Sequence, residues 1–180
     1  MKNTYQVYGL PRSGTNFIEW SIRENIKAVN YKTIISQTEI PEIPTSRVSE
    51  KHNYPTFKYS DKIVIIYKDW DKFIISFEKW AKTQKLYNKK PKFSKKSYDE
   101  YLKKCFDLKT KHPEKVIIFN HDFVVENYNE SIKKIADFLG KEVKENIKFP
   151  KFKLNMLGAN CKQTNELYFH NKGEWCENKI

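Results

Sequence analysis

The 180-residue chain predicts an α/β fold, a three-layer sandwich in which helices cover both faces of a mainly parallel sheet of about five strands. Three observations carry that expectation. The runs Lys62 to Tyr67 (KIVIIY) and Lys115 to Phe119 (KVIIF) are apolar without alternation, which suits strands buried on both faces of a parallel sheet. Between the β-rich runs, apolar residues return at helical spacing. No internal repeat and no Ser/Gly-rich linker divides the chain, and 4 Trp, 11 Tyr and 12 Phe supply the apolar area for one core, so residues 1–180 read as a single domain.

Taken in order, Tyr5 to Tyr8 is the first strand, and Ile18, Ile22 and Ile26 then recur every fourth residue as one face of a helix. Thr33 to Ile35 and Arg47 to Ser49 read as two further short strands, followed by the two apolar runs. Phe73, Phe77 and Trp80 stand at helical spacing and belong in the core. Tyr98, Tyr101, Leu102 and Cys105 follow the i, i+3, i+4, i+7 stripe, with Ser97 and Glu100 at capping-box spacing. Ile132, Ile135, Ala136 and Leu139 repeat that stripe, and Gly140 is placed to end the helix.

Composition narrows the function. The net charge of +12 suggests a polyanion partner, but of the 34 basic residues only Arg12, Arg23 and Arg47 are arginines. Abundant Lys, Asn, Ile and Tyr read as a coding bias that raises charge without selecting a partner, and Lys85 to Lys96 reads as a solvated, lysine-dense loop. The rarity of arginine singles out Arg12, because guanidinium recognises oxyanions in a planar, bidentate way that lysine does not. No apolar run approaches the roughly 18 residues of a membrane span and the start MKNTYQVYG lacks the order of a secretory signal, so a soluble, cytoplasmic protein is expected. Cys105, Cys161 and Cys176 have no metal-like spacing, so no structural metal and no disulfide framework is expected.

The first strand leads into Gly9-Leu10-Pro11-Arg12-Ser13-Gly14-Thr15-Asn16-Phe17 and then the first helix, the order of a phosphate cradle. Glycines let backbone N–H groups approach an oxyanion at a helix N-terminus, where the macrodipole also favours negative charge. The fold is therefore expected to be P-loop nucleotide-binding-like. The usual loop reads G-x4-G-K-[ST]; here Thr15 replaces its lysine and the cation moves to Arg12, which disfavours a magnesium-ATP enzyme.

Arg12-Ser13-Gly14-Thr15-Asn16-Phe17 matches, position by position, the [KR]-S-G-T-[TN]-[WF] loop of sulfotransferases that use 3′-phosphoadenosine 5′-phosphosulfate (PAPS), and the chain resembles that family. The resemblance implies that Arg12 meets the bridging oxygen and sulfuryl group, that Ser13, Gly14, Thr15 and Asn16 hold the 5′-phosphate, and that Phe17 stacks on adenine. Lys68-Asp69-Trp70-Asp71-Lys72-Phe73-Ile74-Ile75-Ser76 resembles the family's R-[ND]-P-x-[DE]-x4-S element, which would give Lys68 and Ser76 the 3′-phosphate. Trp70 stands there for the proline and Lys72 for the acidic residue. Lys115 to Asp122 and the later Phe138-Leu139-Gly140 resemble the core strand, acidic turn and final helix. Asn171-Lys172-Gly173-Glu174-Trp175 is similar to the lid segment, assigning Lys172 and Gly173 to the cofactor.

The resemblance implies transfer of a sulfuryl group to a sugar, phenol or alcohol hydroxyl, with PAPS as cofactor, adenosine 3′,5′-bisphosphate as product and no metal. Such a reaction needs a base for the acceptor proton and cations for the departing charge. His52, after the Arg47 to Ser49 run, is assigned as the base and Lys51 as its supporting cation, with His121 as the reserve base. His112, before Pro113, and His170, in the tail, are not assigned. The chain is short for the family, so a second subunit, as in a homodimer, is one way to complete an acceptor pocket. Two rivals stand beside this reading. A P-loop phosphotransferase would need the missing loop lysine, and a basic nucleic-acid-binding module predicts steeply salt-dependent affinity, with no recognised motif present.

Overall fold

The computed structural model describes residues 4–31, 35–36, 48–83 and 93–149. Strand β1 (Thr4–Tyr8) leads through a loop to helix α1 (Thr15–Asn25) and the two-residue strand β2 (Asn30–Tyr31). Strands β3 (Ile35–Ser36) and β4 (Val48–Ser49) precede a 3₁₀ turn at Glu50–His52. Then come β5 (Lys62–Tyr67), α2 (Trp70–Thr83), α3 (Lys95–Lys111), β6 (Val116–Asn120), α4 (His121–Glu126) and α5 (Tyr128–Leu139).

Among the described residues, four strands form one parallel sheet in the order β2-β1-β5-β6, with Tyr8 beside Ile65 and Tyr67 beside Asn120 at the carboxyl ends. The chain is therefore α/β with a parallel sheet as expected, and the described residues supply four of the about five strands expected. Of the 33–35 and 47–49 runs, the described residues Ile35–Ser36 and Val48–Ser49 pair antiparallel in a separate ribbon. Strand β5, inside the sheet, buries Ile63, Val64, Ile65 and Ile66 completely.

Strand residues alternate between two cores. Tyr5, Val7, Val64, Ile66 and Phe119 meet Ile18 and Ile22 of α1, Val124 of α4, and Ile132, Ile135 and Leu139 of α5. Tyr8, Ile63, Ile65 and Val116 meet Phe73 and Phe77 of α2 and Tyr98, Tyr101 and Cys105 of α3. Each fully buried aliphatic side chain of this kind contributes about 1.5–3 kcal/mol. The step from β1 to β2 runs outward through α1, while the step from β5 to β6 runs the opposite way through α2 and α3. Right-handed connections place the helices of opposite steps on opposite faces, and the reversal between β1 and β5 opens a crevice at their carboxyl ends.

Helix ends follow local chemistry. Gly140 ends α5 in the left-handed region at φ +66°, as its position predicts. The start of α3 is corrected by three residues. Its N-cap is Ser94, whose Oγ accepts the Ser97 N–H at 3.1 Å, so Ser97 is a first-turn residue and not the cap. Beyond α5, Asn25 holds the return segment: its Nδ2 donates to the Lys148 carbonyl at 3.0 Å and its Oδ1 accepts the Lys148 N–H at 2.6 Å. That pins Phe149 against Phe17 and Tyr128, at ring distances of 5.9 and 4.6 Å. No helix among the described residues is long and apolar enough to cross a membrane.

Candidate anion site at the carboxyl edge of the sheet

The β1–α1 loop is curled by its own hydrogen bonds and by two residues at positive φ. Both the N–H and the Oγ of Ser13 bond the Leu10 carbonyl, at 3.0 and 2.6 Å. Arg12 has φ +74° and Gly14 φ +103°. The first helical bond of α1 runs from the Ile18 N–H to the Gly14 carbonyl, so the N–H groups of Thr15, Asn16 and Phe17 precede the helical ladder, and Gly14 has no side chain with which to cap them. Packing forbids a larger residue at either glycine. A Cβ at Gly9 would stand 2.5 Å from the Ile66 carbonyl oxygen, and one at Gly14 would stand 2.4 Å from Cδ2 of His121.

Arg12 rises from this loop with its Nε buried and without a hydrogen-bond partner, and burial lowers the guanidinium's proton affinity. Lys68, at the end of β5, is also partly buried. Burial and then the Arg12 charge lower its pKa, with Lys72 acting in the same sense and Asp122 against it. Its carbonyl accepts the Tyr98 hydroxyl, and Asn120 Nδ2 donates to Asp69 Oδ1 at 2.9 Å, so the connections after β5 and β6 are tied together. Lys72 forms an ion pair with Asp122, whose other oxygen lies 3.2 Å from His121 Nδ1. The cation standing where the resembled element is acidic is thus answered by a carboxylate from α4. Trp70 opens α2 packed edge-on to Tyr98.

The 3₁₀ turn closes the other side of the loop. Gly9 N–H donates to the Lys51 carbonyl at 2.8 Å, and His52 Nδ1 donates to the Gly9 carbonyl at 3.0 Å, which leaves Nε2 as the basic nitrogen. Burial, then the charges of Lys51 and Arg12, push His52 down to about 3, so its ring is neutral at pH 7. Lys51 is buried, and its ammonium meets Asn16 Oδ1 at 2.7 Å and Glu19 Oε2 at 2.9 Å. The Glu19 carboxylate meets its charge, and through these contacts Lys51 tethers the turn to the loop and α1.

Of the residues expected from sequence, Arg12 to Asn16, Lys51, His52 and Lys68 come together around this loop. Phe17 is 7% exposed, with its ring among His121, Tyr128 and Phe149. Ser76 is half-buried on α2, one turn beyond Lys72 on the same face. Lys172 and Gly173 lie outside the described residues, as do His170 and most of the lysine-dense stretch. Glu19 and Asp122 were not anticipated. For Glu19 a signal existed, since it lies within one turn of Ile22 on the buried side of the helix, where a carboxylate requires a partner. No family model, curated protein or solved structure matches this chain.

Proposed function

We propose that the chain is a sulfotransferase that takes its sulfuryl group from PAPS and delivers it to a sugar, phenol or alcohol hydroxyl, on a compact P-loop-like nucleotide-binding fold. The observation that carries this reading is Arg12, whose buried, unpartnered Nε is held by a left-handed backbone inside a loop where both glycines are required by packing. A half-buried guanidinium with an unpartnered Nε is costly unless an anion answers it. An Arg–Gly–Thr arrangement without a loop lysine suits an oxyanion met by guanidinium and backbone N–H groups.

PAPS, when bound, supplies an activated sulfuryl group on a phosphate leaving group. The amides of Thr15 and Asn16 and the Arg12 guanidinium hold the phosphosulfate, and Arg12 stabilises the charge that builds on the departing oxygen. Lys68, with Ser76 on the helix that follows, holds the 3′-phosphate. His52 accepts the acceptor's proton at Nε2; its low proton affinity in the free protein comes partly from two cations, and a bound anion offsets these and restores basicity. Lys51, pinned by Glu19, keeps the His52 turn on the loop.

Calorimetric titration with adenosine 3′,5′-bisphosphate, AMP, ATP with Mg²⁺ and an oligonucleotide tests the reading. The bisphosphate is expected to bind above AMP by about 10- to 150-fold, corresponding to about 1.5–3 kcal/mol for a charged hydrogen bond. Lys68→Ala is expected to remove most of that preference while leaving AMP affinity nearly unchanged. Equal wild-type affinity for the two nucleotides overturns PAPS as the donor.

A further inference from the structure

We propose that His121, held by Asp122, is a phosphate-reading residue of this site that takes up a proton when the ligand's phosphate seats on the loop. This rests on the reading of the loop as a nucleotide phosphate site and adds a residue to it.

The geometry gives the ring one orientation. Nδ1 lies 3.2 Å from Asp122 Oδ1, and because a carboxylate only accepts, Nδ1 carries the hydrogen. The opposite edge of the ring lies against Gly14, the residue at the start of α1. A Cβ built there would be 2.4 Å from Cδ2 and 3.2 Å from Nε2. Phe17 of α1 backs the ring at 5.3 Å between centroids. The charged groups around it are Lys68 after β5, Lys72 on α2 and Asp122 on α4, with Arg12 acting on Lys68 from the loop.

With Nδ1–H committed to Asp122, neutral His121 turns a lone pair towards the loop, and a lone pair repels a phosphate oxygen. The ring donates a hydrogen bond from Nε2 only after gaining a proton there. Burial, Lys68 and Lys72 keep the pKa of the free ring below its usual value, so at neutral pH it is mostly unprotonated. A bound phosphate reverses the electrostatic balance, and Asp122 stabilises the imidazolium from behind, in the way a carboxylate orients and supports histidine elsewhere. The half-buried cations Arg12, with its unpartnered Nε, and Lys68 point to an anion at the same place.

The test is calorimetric titration of the full chain with adenosine 3′,5′-bisphosphate near neutral pH in buffers of different ionisation enthalpy, which yields protons taken up per ligand bound. Uptake is expected in the wild type, and it falls in His121→Gln together with a loss of affinity of about 10-fold or more, the scale of one charged hydrogen bond. Asp122→Asn is expected to lower uptake as well, whereas His52→Asn, which leaves the Asp122 pair in place, retains His121's share. Unchanged uptake in His121→Gln, or loss only in His52→Asn, overturns the proposal. Inorganic pyrophosphate separates this from the donor assignment: if it binds with His121-dependent proton uptake while the bisphosphate does not bind, the PAPS reading fails and this one stands. If neither ligand binds the wild type, both fail.

Discussion

Helices α1 and α3 begin in opposite ways. At α3 everything needed lies within a few exposed residues: Ser94 caps the Ser97 N–H, the two serine hydroxyls bond at 2.8 Å, and Lys95 pairs with Asp99 one turn on. At α1 the cap is a left-handed glycine without a side-chain hydrogen bond, and the first turn is steadied from distant parts of the chain. Lys51 grips Asn16 and Glu19, His52 grips Gly9, His121 lies on Gly14, and the end of β5 crowds Gly9. The start of α3 is settled by its own neighbours, whereas the start of α1 is fixed by a buried ion pair and lies beside a left-handed arginine, an arrangement that suits the anion site proposed above.

The largest expected effect tests that external support. Lys51 and Glu19 have side chains only 7% and 5% exposed, so Glu19→Leu leaves a buried ammonium uncompensated and is expected to destabilise the fold by about 3–5 kcal/mol in denaturant titration. The double variant Glu19→Leu with Lys51→Met removes both charges and is expected to recover most of the loss. A single-variant loss below about 1 kcal/mol, the range of exposed pairs, would show that the pair does not hold the start of α1.

Next in size is a change in which stability and binding move in opposite directions. Arg12 sits at φ +74°, where a non-glycine residue costs about 1–2 kcal/mol. Arg12→Gly is therefore expected to leave thermal stability equal or higher while weakening adenosine 3′,5′-bisphosphate by about 10- to 150-fold, for want of a charged donor. Turnover is expected to fall by about 10²- to 10³-fold. If Arg12→Gly loses stability and keeps affinity, the strained arginine serves the fold and not an anion.

What the sequence made legible follows from the range of the interactions involved. The buried strands β5 and β6, the stripe of α5 and its ending at Gly140 all depend on residues within one element, and their pattern is visible along the chain. Gly9, Arg12 and Gly14 were legible as a loop for the same reason. Their packing was not, because the Ile66 carbonyl and the His121 ring that forbid a side chain come from β5 and α4. Likewise Lys51 was readable as a cation, but its neutralisation by Glu19 spans 32 residues, and the Lys72–Asp122 pair spans 50. The pairing of Ile35–Ser36 with Val48–Ser49 was not legible, because β-prone composition over a few residues does not decide between a central sheet and a two-stranded ribbon.

The smallest expected effect is at α3, and it separates two descriptions of one helix start. Capping-box spacing assigns the cap to Ser97 with Glu100, whereas the backbone assigns it to Ser94, which is extended at φ −83° and ψ 147° while Ser97 is already helical. An N-cap serine replaced by alanine typically costs about 1 kcal/mol, because one first-turn N–H loses its acceptor. Ser94→Ala is therefore expected to lower stability by about that amount, and Ser97→Ala by less, since its N–H keeps the Ser94 oxygen as acceptor. Nucleotide affinity is expected to be the same in both variants, because α3 packs on the face of the sheet opposite α1 and its start is closed by its own side chains. Equal losses from the two serines would return the cap to Ser97. A fall in nucleotide affinity in Ser94→Ala would mean that the two helix starts are coupled, and that α1 depends on more of the molecule than the turn, the two strand ends and His121.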